Sequence, residues 1–286
     1  MKNYEGRGFG FLIIGVTYIL STILGVAVFN LLDLSLWLSI LIADVVATVA
    51  VFIVSVITKN ASVYDPYWSV QPIVILAFIA IKYSISLSGV VILIAISFWG
   101  IRLTANWAYT FFGLSHQDWR YTMLKETSKG FYPIVNFFGI HMVPTLIVYL
   151  CTMPAVFVIV EKPEFTFYAL PFALLSVFAV ILQGASDIEM HKFRKSKVGG
   201  FIRVGLWKYS RHPNYLGEIL IWWGVGLYSL LTLSAPFYIL TGAIANTLLF
   251  LFISIPMADK KQSKKEGFDE YKKNTRMLFP IYKKQI

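Results

Sequence analysis

Cysteine is nearly absent. Cys151 is the only one in 286 residues, so an intramolecular disulfide is impossible and cysteine-rich metal sites are excluded. Charge is also scarce: Asp, Glu, Lys and Arg make up 14% of the chain, against about a quarter in a soluble domain. Acids are the scarcer sign, 15 against 25 bases, which leaves a net charge of +10. The four histidines, His116, His141, His191 and His212, form no two-His helical pair and have no paired carboxylates at ligand spacing, so no metal site is predicted. Gly-x-Gly-x-x-Gly and Gly-x-x-x-x-Gly-Lys-Ser/Thr are both missing, which removes the Rossmann and P-loop nucleotide sites. No serine occupies a nucleophile elbow. The first apolar run, Phe9 to Leu32, is longer than a signal peptide's apolar core and no small-residue cleavage site follows it.

What the chain has is apolar length. Hydrophobic residues make up 57% and aromatic ones 16%, and the mean hydropathy is +0.69. About 20 apolar residues cross a bilayer core, and eight candidate spans satisfy this, at 9–32, 34–57, 69–85, 87–107, 131–160, 165–185, 215–233 and 235–255. The third is short and holds Lys82. The predicted fold is therefore all-α, a polytopic integral membrane bundle of seven to eight transmembrane helices. With the N-terminus in the cytoplasm and the spans alternating, the inner segments are 1–8, 58–68, 102–130, 186–214 and 256–286. They hold 23 of the 25 Lys and Arg residues, leaving out Lys82 and Lys162. That bias places both termini in the cytoplasm. It also explains the net charge without a nucleic-acid partner. No tandem repeat, low-complexity tract or detachable soluble domain is present, so 1–286 reads as one membrane-embedded domain.

The inner connections carry the chemistry. Gly205 to Glu218 is a basic, aromatic, Pro-broken segment that runs directly into an apolar helix. Pro213 suits a first helical turn, where its missing N–H needs no partner, and it pushes His212 toward an extended backbone. The free N–H groups of the new helix point back toward Arg211 and His212, a geometry that favours an anion. Asn214 and Glu218 are four apart and share a face with Tyr215 beside them. Upstream, Asp187, His191 and Arg194 recur on one helical face, and seven basic residues with no acid run from Lys192 to Arg211. Lys195 and Lys197 read as membrane anchoring. Arg194, Arg203 and Arg211 read equally as anchors or as guanidinium ligands for a phosphate.

Asp44, Arg102, His141, Asp187 and Glu218 are ionisable groups at or near membrane depth, where such groups face a cavity or a partner. Asp44 and His141 taken alone read as buried polar pairs between helices. Trp68, Trp99, Trp107, Trp119, Trp207, Trp222 and Trp223 read mainly as an interfacial belt.

Arg211-His212-Pro213-Asn214-Tyr215-Leu216-Gly217-Glu218, preceded by Gly205-Leu206-Trp207 and by Asp187 through Arg194, resembles the C-terminal domain of the steroid 5-alpha-reductase family. It is most similar to the bacterial branch of uncharacterised membrane proteins related to that family. Tyr64-Asp65-Pro66-Tyr67-Trp68, Gly100-Ile101-Arg102-Leu103, Asp118-Trp119-Arg120-Tyr121 and the tail from Tyr271-Lys272-Lys273-Asn274-Thr275 through Phe279-Pro280 resemble the same branch. The Arg-His-Pro-Asn-Tyr core marks a superfamily: sterol C14 and C24 reductases share it with NADPH, and isoprenylcysteine carboxyl methyltransferases carry a similar segment with S-adenosylmethionine. The resemblance implies that Asp187 and Arg194 hold the adenosine end of NADPH, that Asn214 and Glu218 lie near the nicotinamide, that Tyr209 is a further contact, and that Arg120 reaches the phosphates.

The 5-alpha-reductases have a Gln-Glu pair and a Tyr in the N-terminal half that grip the steroid ketone. This chain has no such Gln-Glu. Asp65 is the nearest acidic substitute, and Tyr67 or Tyr121 is a source of hydroxyl. The family's tail histidine and tyrosine are replaced by the Asp259-Lys260-Lys261 neighbourhood.

The resemblance thus implies an NADPH-dependent reductase of a C=C bond conjugated to a carbonyl in a steroid-like or isoprenoid lipid, with Asp65, Tyr121 and Glu218 as catalytic groups. Arg120, Asp187, Arg194, Arg203, Tyr209, Arg211, His212, Asn214, Tyr215 and Glu218 form the expected cofactor set. Residues 1–130 are the expected substrate half and 131–286 the cofactor half. The expected substrate enters from the bilayer of a bacterial inner membrane and the expected cofactor from the cytoplasm; the sequence leaves the oligomeric state open, a monomer included. The alternatives are a methyltransferase acting with S-adenosylmethionine on a lipid or prenyl-cysteine, and a non-catalytic lipid-binding protein.

Overall fold

The computed structural model describes residues 6–279, and Pro280, which closes the tail motif, lies outside them. Among the described residues every regular element is helical, and one isolated bridge joins Ser210 to Arg276. α1 (Arg7–Leu31) and α2 (Leu36–Ile57) form the first hairpin. α3 (Tyr67–Tyr83) starts directly behind Pro66, and α4 (Leu87–Thr110) is capped by Ser86, whose hydroxyl accepts from the Gly89 N–H. α5 (Trp119–Ser128) is capped by Asp118, whose Oδ1 accepts the Arg120 N–H at 2.8 Å. After a break in which Lys129 takes a φ of 46°, a short turn, α6 (Tyr132–Ile134), widens into a π-helix over Val135–Met142 and continues as α7 (Val143–Glu161). α8 (Leu170–Ser196) and α9 (Pro213–Thr232) follow. α10 (Thr241–Leu249) passes through a second π stretch into α11 (Ile255–Gln262), and α12 (Phe268–Asn274) closes the described chain.

Among the described residues eight helical runs are long and apolar enough to cross a membrane, and the protein is a polytopic membrane bundle. Several boundaries differ from the expected spans, the fourth run continuing to Thr110 and the sixth to Ser196. The third helical run begins earlier, with Ala61 and α3 proper at Tyr67, because Asn60 caps a tight turn there by accepting the Ser62 N–H. The fifth begins at Trp119, since α5 leads into it across the Lys129 break. The eighth runs on to Gln262 and carries Asp259 within it.

Helices in a bilayer gain nothing from hiding apolar surface from lipid, so close packing and hydrogen bonds must hold them together. The α8–α9 pair shows how. A Cβ on Gly217 would lie 2.7 Å from the Ala179 carbonyl oxygen, and one on Gly224 would lie 2.2 Å from Ser176 Oγ and 2.7 Å from the Phe172 carbonyl oxygen. The two backbones are in contact only because both residues lack side chains. The interior is filled by Trp99, Trp222, Tyr228, Ile92, Ile96 and Ile159, while Phe9, Leu12, Ile19 and Leu20 of α1 point outward.

The loops sort by charge. One end of the bundle carries the segments around 58–66, 111–118, 197–212 and 263–279, with nearly all the basic residues; the other carries the short turns at 32–35, 84–86, 162–166 and 233–236. Arg7 ties the start of α1 to the basic end of α4 by donating to the Ala108 carbonyl at 2.8 Å.

Candidate functional site

The α9 start has the expected backbone: His212 is the residue before the helix, with φ −139° and ψ 60°, and Pro213 is its first helical residue. The side chains before it do not face an open anion site. Arg211 donates to Asp259 Oδ2 at 3.2 Å and to the Thr275 and Lys272 carbonyls at 2.7 and 3.2 Å. His212 Nε2 lies 2.9 Å from Asp259 Oδ1, and its ring stacks on Tyr215. Arg211, His212 and Asp259 are all buried, and a buried cation requires a counter-charge. Asp259 of α11 supplies it. Arg211 and His212 therefore bind the chain's own tail, which corrects the reading of them as anion ligands.

Glu218 is likewise fully engaged. Its Oε2 accepts from Trp99 Nε1 at 2.8 Å and from Gln183 Nε2 at 2.7 Å, and its Oε1 accepts from Trp222 Nε1 at 2.9 Å. At 2% exposure it joins α4, α8 and α9 rather than facing a recess. Trp99 and Trp222 are buried to 0% and 1%, and Trp207 is buried and donates to the Ser186 carbonyl. These three are not belt residues. Each indole N–H needs an acceptor inside the bundle, a signal the sequence contained.

Asp187 pairs with Arg102 of α4 at 2.7 Å, and one turn on His191 Nε2 lies 2.7 Å from Asn106 Oδ1. Arg194, on the same face, is exposed at the end of α8, close enough for its charge to act on Lys261 and Lys265. Arg203 and Tyr209 lie exposed on the 197–209 segment, Arg203 over the Phe201 ring and Tyr209 beside Lys208. The structure does not bring these two toward the other expected residues by any hydrogen bond or ring contact.

The N-terminal half builds two recesses. At the basic end a cavity of about 280 Å³ is lined by Asp65, Trp68, Asn106, Trp107, Asp118 and Arg120, among others. Tyr121 donates to Asp65 Oδ1 at 2.5 Å. Half-exposed Arg120 is held by Asp118 through Nε at 2.8 Å. Burial pushes the Asp118 carboxyl up, but the Arg120 charge and hydrogen bonds outweigh it, and the carboxyl sits below the usual aspartate range. Lys261 of α11 covers the same corner, its ammonium 3.8 Å from the centre of the Trp119 ring.

The second recess is an apolar groove between α1, α2 and α3, about 70 Å³, walled by Gly25, Val74, Ile75 and Phe78 among others. Asp44, Tyr67 and Gln71 form its polar floor. Tyr67 donates to Asp44 Oδ1 at 3.3 Å. The Gln71 amide lies beside Asp44, yet neither Asp44 Oδ2 nor Gln71 Nε2 reaches a hydrogen-bond partner among the described residues. The two atoms are an acceptor and a donor side by side, so a small side-chain rotation pairs them with each other or turns them toward a ligand. Sequence reasoning treated Asp44 as a closed polar pair and overlooked Gln71. The i to i+4 spacing of Tyr67 and Gln71 on α3 was the available signal.

Residues 51–275 match the family described as "Protein of unknown function (DUF1295)". An uncharacterized protein of Schizosaccharomyces pombe is 28% identical over 198 residues, which cover 59% of this chain and 57% of that protein. The chain therefore spans a little over half the length of this relative. No solved structure matches the chain.

Proposed function

The chain belongs to the DUF1295 family, and from that premise and the geometry of its recesses we propose that it is a membrane-embedded, NADPH-dependent reductase of a carbonyl-conjugated C=C bond in a lipid. One observation carries the reading. Consecutive residues of α3, Tyr67 and Trp68, line different recesses: an apolar groove with a hydrogen-bonding floor, and a larger polar cavity at the basic end. Two adjoining sites of opposite character suit an enzyme that joins a bilayer substrate to a charged soluble one. The likeness of Arg211–Glu218 to the steroid 5-alpha-reductase family supports the same assignment. The charge sorting supports it too, because the positive-inside bias favours a cavity open to the cytoplasm, and a bacterial inner membrane is the proposed setting.

The residues fit the cofactor. Asn214 Oδ1 and the Nε and NH2 groups of Arg102 are buried without partners, and Arg120, Arg194 and Lys261 bring positive charge to the same end. The arginines and Lys261 would hold phosphates, and Asn214 would accept from a carboxamide. NADPH supplies a hydride when bound. Tyr67 would turn its one O–H from Asp44 Oδ1 to the substrate carbonyl and stabilise charge that develops on its oxygen. Asp65 and Tyr121 would hold the proton destined for the α-carbon. Glu218, expected among the catalytic and cofactor-binding groups, would act instead as a positioning residue through Trp99, Gln183 and Trp222. In this reading the first half of the chain serves the lipid and the second half the cofactor.

The test uses protein in lipid nanodiscs. NADPH should raise its unfolding temperature, and the shift should shrink in Arg194→Ala and Asn214→Ala. Deuteride from labelled NADPH should appear in a lipid enone, with Tyr67→Phe slowed about a hundredfold. A shift with S-adenosylmethionine and none with NADPH overturns the reading in favour of a methyltransferase. A shift with neither cofactor, in protein that purifies with lipid, leaves a binding protein.

A further inference from the structure

α1, α2 and α3 carry one more feature, at the end opposite the basic loops. The groove above Asp44 runs along α3 past Val74, Phe78 and Ile79 and reaches Phe29 of α1. Phe29 is also a wall of a second cavity, about 190 Å³, lined by Asn30, Leu36, Ser39, Lys82 and Tyr83 among others. Ile79 and Lys82 lie one turn apart on α3, and Ser39 and Ile40 are consecutive on α2, so groove and cavity continue one another along two helices.

Lys82 closes this path. Its ammonium lies 4.8 Å from the centre of the Phe29 ring and 6.0 Å from that of Phe78, both of them groove walls. Among the described residues no carboxylate lies within ion-pair distance of Lys82. It shares this end with one other basic residue, Lys162, which donates to Ser84 Oγ at 2.7 Å. A lysine at a span end ordinarily extends its ammonium into water. Lys82 is likewise exposed, but its ammonium also lies against two aromatic faces, at the mouth of an apolar groove and on the wall of a cavity. The acids of this end, Asp33, Glu161 and Glu164, form no ion pair with it. That is a charge waiting for an anion attached to an apolar body.

We propose that groove and cavity together bind one lipid with an anionic headgroup, its phosphate or carboxylate oxygens on Lys82 and its tail lying between α1, α2 and α3 toward Tyr67. From Gln71 to Lys82 the helix rises about 16 Å, so the tail must reach that far to meet the polar floor. The binding stands apart from any catalysis. If the reductase reading holds as well, the substrate class is an anionic lipid whose carbonyl lies about 16 Å from its head.

Protein in phosphatidylcholine nanodiscs, without NADPH, is titrated with dodecyl phosphate, dodecanol and butyl phosphate, and binding is followed by native mass spectrometry. Dodecyl phosphate should bind about tenfold more tightly than dodecanol, and butyl phosphate, which has the charge without the tail, should bind more weakly than either. Lys82→Gln should abolish the preference for phosphate over alcohol while dodecanol binding persists, which also reports a folded groove. Lys162→Gln should leave the preference intact. Equal phosphate preference in wild type and Lys82→Gln, or butyl phosphate binding as well as dodecyl phosphate, overturns the proposal. Neither result touches the deuteride-transfer test, and a failed transfer leaves this binding standing.

Discussion

At the scale of single residues, the decisive contrast is between polar groups that are satisfied and polar groups that are not. Glu218 accepts three N–H groups from Trp99, Gln183 and Trp222; Asp44 keeps one oxygen without a partner. Both are acids within apolar helices, and only their neighbours separate a brace from a site. Glu218→Gln keeps the shape but turns an amide N–H toward a donor, so one donor pair must break. The variant should lose about 2 kcal/mol of stability, seen as a lower unfolding temperature in detergent; an unchanged temperature would contradict the three-donor arrangement. Sequence spacing did find the Asn214–Glu218 face. Trp222, four residues on along α9, was within reach of the same spacing. The sequence could not show that a tryptophan of α4 and a glutamine of α8 had also claimed the acid, because they lie 119 and 35 residues away in the chain.

At the scale of elements, α8 and α9 depend on two residues with no side chain. Gly224→Ala places a Cβ 2.2 Å from Ser176 Oγ and 2.7 Å from a backbone oxygen, whereas at Gly15 of α1 nothing lies within 4 Å. Overpacking of this kind costs about 1–3 kcal/mol, so Gly224→Ala should lower thermal stability and Gly15→Ala should not. The 60–62 turn and the 113–120 loop are joined more softly. Ser62 accepts the Asp118 N–H at 2.9 Å, and Asn60 donates to the Leu114 and His116 carbonyls at 2.7 and 2.9 Å. Asp118 is the titrating member. Its folded pKa is depressed, so its contribution is complete above the ordinary aspartate value of about 3.9 and drains as pH falls below it. Protection of the 113–120 amides, measured relative to the intrinsic exchange rate at each pH, should therefore fall on acidification, and Asp118→Asn should remove most of that pH dependence.

At the scale of the whole molecule, charge orders the bundle. The short turns at one end and the long basic loops at the other follow from alternating eight spans, and the sign of the loops predicts the basic end on the cytoplasmic side. Labelling checks this directly. In a Cys151→Ala background, a membrane-impermeant maleimide added to intact cells should modify Ser86→Cys and spare Tyr209→Cys, and permeabilisation should expose the second. The reverse pattern would invert the bundle and place the polar cavity on the other side.

The sequence alone determined the class and the layout. Eight apolar runs of bilayer length leave few alternatives to a helical bundle, because a backbone in hydrocarbon must satisfy its hydrogen bonds within each helix. One-sided basic loops set the expected orientation, and Pro213 behind His212 marked where α9 begins. The tertiary structure alone decided which polar groups are available. Arg211 and His212 sat beside a helix start in sequence, but the tail folds back and gives them Asp259. Asp44 and Tyr67, 23 residues apart, became one floor beneath a groove, and Lys82 came to rest over rings from two helices. The physical reason is common to the first two, which are buried. A buried charge or hydrogen-bonding group takes its character from the partner that burial gives it, and in a bundle that partner arrives from another helix.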